Sequence, residues 1–228
     1  MATKTRKQEN NDLDIAESFS KTERYIDENK KSLGIIAGAI ILVVGGYFAY
    51  TTWILGPKEK EAAEQIYVAE RYFEKDSLEL ALKGDGNYPG FLQIIDDYGM
   101  TGSANLAHYY AGIIYLRQGE FQKAIDYLKD YDADDQMTRA MSLGAIGDAY
   151  SELGNMDDAI SYYDKAATSE PNQFTSPMFL LKKGISQEAA GKHKQALETY
   201  RSVKQKYPES AEGRDIDRYI GKLEAMNR

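Results

Sequence analysis

Apolar residues recur every three or four positions along most of this chain, the spacing of helices that bury one face and wet the other. One stretch breaks the pattern. In "KKSLGIIAGAIILVVGGYFAYTTWILGPKEKEAAEQ", the 23 residues from Leu33 to Leu55 carry no charge. At about 1.5 Å per residue that length crosses a hydrocarbon core of about 30 Å. A cleaved export signal has a shorter apolar core, about 7 to 15 residues, followed by a small-x-small site. A soluble core helix of this length without one charge would be unusual. Tyr47, Tyr50 and Trp53 near the far end suit a membrane interface, so residues 33–55 are expected to form a permanent transmembrane anchor.

Lys and Arg close to the span set its expected orientation. Lys21, Arg24, Lys30 and Lys31 precede it, and only Lys58 and Lys60 follow within the same reach, which puts the N-terminus in the cytoplasm. Gly34, Gly38, Gly45 and Ala49 fall on one face of the span. Either another transmembrane helix approaches there, or Gly and Ala are simply common in such helices. Within residues 1–32, the first dozen have the composition of a disordered segment. Ile15, Phe19, Thr22 and Ile26 then predict a short amphipathic helix.

After residue 100 the helical pattern repeats. "NLAHYYAGIIYLRQGEFQKAIDYLKDYDADDQ" starts at Asn105, "AMSLGAIGDAYSELGNMDDAISYYDKAATSEP" at Ala140 and "PMFLLKKGISQEAAGKHKQALETYRSVKQKYP" at Pro177, so successive starts are 35 and 37 residues apart. The eighth position is Gly112, Gly147 and Gly184; the fifteenth is Gly119, Gly154 and Gly191; the twentieth is Ala124, Ala159 and Ala196. Small residues at positions eight and twenty let two helices of a hairpin pack closely. Glycine at fifteen fits the left-handed end of the first helix. Leu128, Tyr163 and Tyr200 at position twenty-four are expected to fill the space between successive hairpins, and Pro171 and Pro208 to end the second helices.

The pattern resembles the tetratricopeptide repeat, most closely in the middle copy, where Leu143, Gly147, Tyr150, Ala159, Tyr163, Ala166 and Pro171 hold the signature positions. The first copy departs at Gln136, where the terminal proline is usual, and the third at Lys183 and Gln187. The fold expected is therefore all-α: a solenoid of helical hairpins after one transmembrane helix. Residues 58–104 should add a degenerate first hairpin, with Ala62, Ile66, Ala69 and Phe73 on one face, a "GDGN" turn and a short helix in "YPGFLQIIDDYG". Residues 105–208 form the three repeats. Residues 209–228 should cap the array through Ile216, Tyr219 or Ile220, and Leu223, since an uncapped end leaves apolar surface in water.

Composition narrows the chemistry. The net charge is −8 and no basic block stands out, which argues against nucleic acid as a partner. There is no cysteine, and His108 and His193 are the two histidines, so disulfides, thiolate metal sites and histidine-based triads have little to be built from. "DYDADDQM" lacks the glycine and the bidentate glutamate of a calcium loop, with Asp135 and Met141 in those places. "KGDGNYPG" is followed by no Gly-Lys-Ser/Thr and reads as a turn. His108 sits at a packing position. No catalytic residue, metal site or cofactor is expected, and the chain is not expected to be an enzyme.

Binding is the natural use of such an array, whose first helices line a groove through positions two, five, nine and twelve. In the first copy these are Leu106, Tyr109, Ile113 and Leu116; in the second, Met141, Gly144, Asp148 and Ser151; in the third, Met178, Leu181, Ile185 and Glu188. This lining suits hydrophobic polypeptide segments, unless neighbouring hairpins or the capping helix bury it.

Across its length the chain is similar to the YfgM family of Gram-negative inner-membrane proteins, through the stretch from Tyr25 to Lys31 leading into a Gly-rich span and then repeats. That resemblance implies a single-pass inner-membrane protein with a periplasmic repeat domain. It also implies partners: Sec translocon subunits, a membrane-anchored periplasmic chaperone or isomerase, and exported polypeptides. The role implied is accessory chaperone or scaffold. The alternative is a structural adaptor in another envelope complex, such as outer-membrane assembly, cell division or secretion.

Overall fold

The computed structural model describes the backbone of residues 2–226 and the side chains of residues 25–226. Among the described residues there are helices and turns but no strand, apart from an isolated antiparallel bridge between Gly84 and Pro89. The chain divides into two units, Met1–Pro57 and Lys58–Arg228.

In the first unit, α1 runs Ala2–Tyr50 and passes into a π-helical turn, Thr51–Leu55. The backbone is thus helical where composition suggests disorder. The segment ahead of Gly34 holds neither glycine nor proline and is rich in Lys and Glu, both good helix formers. The side chains of Ile15, Phe19 and Thr22 lie outside the described residues. The π turn has a local cause: Pro57 has no N–H to give, and Gly56 N–H bonds back to the Thr51 carbonyl. The stretch is long and apolar enough to cross a membrane, and none of its apolar window is buried. Leu42 and Trp53, each 77% exposed, leave an apolar surface that water would not tolerate. Beside Gly34, Gly38 and Gly45 there is open space, and Ala49 is half-buried.

In the second unit, helices follow as α2 (Gly56–Glu74), α3 (Leu78–Lys83), α4 (Phe91–Tyr98), α5 (Gly102–Arg117), α6 (Phe121–Asp130), α7 (Gln136–Glu152), α8 (Met156–Thr168), α9 (Thr175–Ala189), α10 (His193–Lys206) and α11 (Ala211–Met226). Helix α2 buries Ala62, Ile66 and Ala69 as the pattern predicts. The degenerate segment carries one more helix than expected, α3, whose Ala81 and Leu82 join the same core as Phe91 and Ile94. Its turn is held by Asp85, whose carboxylate accepts from the N–H groups of Asn87 and Tyr88 and from the Tyr72 hydroxyl at 2.7 Å. In the first turn of α2, the Glu59 carboxylate takes the Gly102 N–H at 2.6 Å and the Ser103 hydroxyl at 2.7 Å. It thereby fastens α2 to the orphan donors that open α5.

The hairpins α5–α6, α7–α8 and α9–α10 are the three repeats. Gly119, Gly154 and Gly191 have φ of 79°, 76° and 72°, the left-handed geometry predicted for position fifteen. The N–H after each bonds back across the turn, as from Glu120 to the Tyr115 carbonyl at 2.9 Å. Position twenty-four does more than expected: besides packing toward the next repeat, as Leu128 does on Ala145 and Ile146 and Tyr163 on Phe179, it sits on the glycine of its own hairpin. A Cβ on Gly112 would meet Leu128 at 2.5 Å, one on Gly147 would meet the Tyr163 ring at 2.7 Å, and one on Gly184 would strike Tyr200. Helix α11 closes the array with Ile216 and Leu223 buried.

Gly147→Ala should therefore cost about 1–3 kcal/mol by overpacking. Gly221→Ala, on α11 with nothing within 4 Å, should gain up to about 1 kcal/mol from helix propensity. Urea unfolding of the two variants measures this; equal effects would show that the Tyr163 contact does not set the hairpin spacing.

Candidate protein-binding surface

The residues predicted to line the groove do not share one environment. Tyr109, Ile113 and Leu116 on α5 are half-buried against a core of Ala145, Ile146 and Ala149 on α7. Leu106 packs toward the α2–α5 core, and Met178 and Leu181 on α9 against the C-terminal one. Much of their apolar area is thus spent on stacking one repeat on the next. Gly144 is corrected outright: it is buried, and the Phe179 ring occupies the space its side chain would need. Met141, 40% exposed, and Ile185, 44% exposed, remain the most open apolar members.

The middle of the face is polar. Asp148 accepts the Tyr163 hydroxyl at 2.6 Å and the Lys182 ammonium at 2.7 and 2.8 Å. With Leu116, Ser151 and Glu152, these residues border an open cleft of about 570 Å³. The next repeat uses the same device. The Tyr200 hydroxyl donates to Glu188 at 2.6 Å, and Lys222 reaches the other oxygen of that carboxylate at 2.7 Å. In both cases the lysine lies 34 residues beyond the carboxylate, one repeat onward. A phenol within one hairpin and a cation from the next unit therefore share one acid. The first repeat has Ile113 and Leu128 where the second has Asp148 and Tyr163, and Leu116 where the third has Glu188, and these side chains pack by apolar contact instead. Sequence reasoning placed Asp148 on the face but not its partners; the one available signal was the recurrence of Tyr at position twenty-four.

Burial first, and then the adjacent carboxylates, push the Tyr163 and Tyr200 phenols far above their ordinary range. Burial and the neighbouring Glu70 push Tyr110 up to about 12. Burial pushes His108 down, and its Nδ1 is buried without a hydrogen bond; beside the Tyr127 ring at 5.8 Å it is a packing residue. Asp135 caps α7, accepting from the N–H groups of Met137 and Thr138 and from the Thr138 hydroxyl at 2.6 Å. That gives the acidic stretch a structural use. Among the described residues no group of acids and histidines could hold a metal ion.

Since these phenols are neutral when protonated, the fold favours the protonated form. Their stabilisation is complete below about pH 10 and is lost as pH rises, through about 12 for Tyr110 and beyond that for Tyr163 and Tyr200. Of the 18 tyrosines, these three should ionise late, read as tyrosinate absorbance, and only as helicity falls. Full ionisation near pH 10 with helicity intact would contradict the burial described.

Residues 91–137, 142–173 and 179–210 each match a family model described as tetratricopeptide repeat. No match is found among curated proteins. Two crystal structures of a Podosopora anserina putative kinesin light chain with nearly identical TPR-like repeats, one of them a point variant, are similar to this chain. Each has a TM-score of 0.56 and 14% identity, covers 74% of this chain, and is itself covered to 87% and 88%. At that identity the likeness concerns the fold. The hairpins α5–α6, α7–α8 and α9–α10 are tetratricopeptide repeats, and the chain carries the architecture of a protein–protein interaction scaffold.

Proposed function

We propose that this protein is a membrane-anchored scaffold whose repeats lie on the periplasmic side of a bacterial inner membrane and hold polypeptide partners at the Sec translocon. In this reading residues 33–55 are the anchor, with Gly34, Gly38, Gly45 and Ala49 as the face open to another transmembrane helix. The partners would be translocon subunits, a membrane-anchored periplasmic chaperone or isomerase, and exported chains. The observation that carries the reading is the bare apolar helical stretch Leu33–Leu55 in the same chain as an interaction fold. The Lys and Arg bias across the span supports the orientation. The resemblance to the YfgM family supports the translocon.

A second reading is favoured by Asp148 and Lys182. A face with a fixed ion pair at its centre, flanked by Met141 and Ile185, discriminates among ligands more than an all-apolar groove does. That suits a dedicated adaptor in another envelope complex. Photoreactive residues at Gly38 and Ile185, in cells producing the full chain, separate the two. Translocon subunits from Gly38 with many exported chains from Ile185 are expected for the accessory chaperone; one envelope protein from Ile185 is the adaptor's result. No adduct at Ile185 would count against the face itself.

A further inference from the structure

A second cleft, of about 290 Å³, opens between α6, the α6–α7 loop, α7 and α8. It shares no lining residue with the face described above. Its apolar lining comes from Leu128, Leu143 and Ile146. Two lysines stand over one aromatic ring beside it. Lys165 Nζ is 4.6 Å from the Tyr162 centroid and Lys129 Nζ 5.9 Å from the same point, so the ammonium groups are no more than 10.5 Å apart, the sum of those distances. Lys129 also donates to the Tyr150 hydroxyl at 3.0 Å, and Tyr150 and Tyr162 stack at 5.4 Å.

What separates these two cations from their neighbours is their partners. Lys182, Lys183, Lys192, Lys204 and Lys222 each pair with a carboxylate. Lys129 and Lys165 pair with none among the described residues and have aromatic faces instead. Arg139, at the same cleft, is already committed to Glu170 at 3.0 Å and the Ala133 carbonyl at 2.6 Å. In a chain of net charge −8, these two lysines are held on tyrosines beside an apolar floor, with their ammonium groups on aromatic faces and not on carboxylates. Aromatic contact orients a cation without neutralising it.

We propose that this cleft binds an acidic polypeptide segment, its carboxylates meeting Lys129 and Lys165 and a neighbouring aliphatic side chain entering against Leu128, Leu143 and Ile146. Asp132 at the lining, Asp130 at the end of α6 and Asp134 in the adjoining loop select against a long polyanion and for a segment carrying a few carboxylates among apolar residues. The proposal rests on the scaffold reading of the repeats but on neither the membrane nor the translocon.

The test is fluorescence polarisation with the full chain in detergent and a fluorescein-labelled octapeptide of alternating Glu and Leu. Binding should weaken at least tenfold for a Lys129→Met/Lys165→Met variant and for the Gln-Leu peptide, and should fall with added salt. A Lys129→Arg/Lys165→Arg variant should retain it, and matching thermal unfolding excludes a folding defect. Ile185→Asp, which removes an open apolar residue of the other face, should leave it unchanged; loss there would assign the peptide to that face and overturn the proposal. Equal binding of the Gln-Leu peptide, or unaltered binding by the Met variant, would also overturn it. So would equal binding of a Glu-Ala peptide with full displacement by inorganic phosphate, which would mark a simple anion site.

Discussion

Everything in the repeat unit depends on a large side chain seated on a glycine. Leu128 on Gly112, Tyr163 on Gly147 and Tyr200 on Gly184 bring the two helices of each hairpin together at a place where the first helix has no room for a Cβ. The contact is within a hairpin, yet its consequences run between them. Once the Tyr163 ring lies over Gly147, its hydroxyl comes within 2.6 Å of Asp148, and its outer face stacks with Phe179 of the following repeat at 6.5 Å. Phe179 in turn fills the space beside Gly144. A steric requirement inside one repeat thus becomes a packing and charge requirement on the next, which is how neighbouring units in a solenoid stabilise one another.

That coupling changes along the array. Between the second and third repeats, and between the third and the closing helix, a phenol, a carboxylate and a lysine join the apolar contact. Between the first and second repeats, Ile113, Leu116 and Leu128 meet Ala145, Ile146 and Ala149 with no such group. Apolar contact is less directional than a shared carboxylate, so register at the first joint rests on shape and on single hydrogen bonds, from Lys129 to the Tyr150 hydroxyl at 3.0 Å and from the Ser142 hydroxyl to the Leu128 carbonyl at 3.4 Å. At the N-terminal end the order is set by Glu59, which holds α2 to the start of α5 through the Gly102 and Ser103 donors.

Positions fixed by local backbone geometry were legible in the sequence. Glycine at position fifteen announces a left-handed turn whatever surrounds it, and Gly119, Gly154 and Gly191 adopt one. Alanine at position twenty and the apolar stripe of α11 were readable for the same reason, since each depends on helical period and size. Less legible was anything joining residues far apart in sequence. Glu59 lies 43 residues from Gly102, and no local spacing connects them. Helix phase assigns residues to a face, but it does not say how much of that face the next repeat consumes. Gly144 was lost to Phe179 and much of Tyr109 and Ile113 to α7. The aromatic setting of Lys129 and Lys165 also had no signature, because lysine on a helix surface reads the same with or without a tyrosine beneath it.

The proposed topology, an N-terminal anchor with the repeats outside the cytoplasm, can be tested directly with single cysteines, since the chain has none of its own. Ser161→Cys, exposed on α8, and Lys30→Cys, exposed ahead of the apolar stretch, would be treated with a membrane-impermeant maleimide in intact spheroplasts and again after permeabilisation. The cysteine at 161 should be labelled at once and that at 30 only after permeabilisation. Labelling of 161 only after permeabilisation, or release of the chain from membranes by carbonate washing, would contradict the proposed topology.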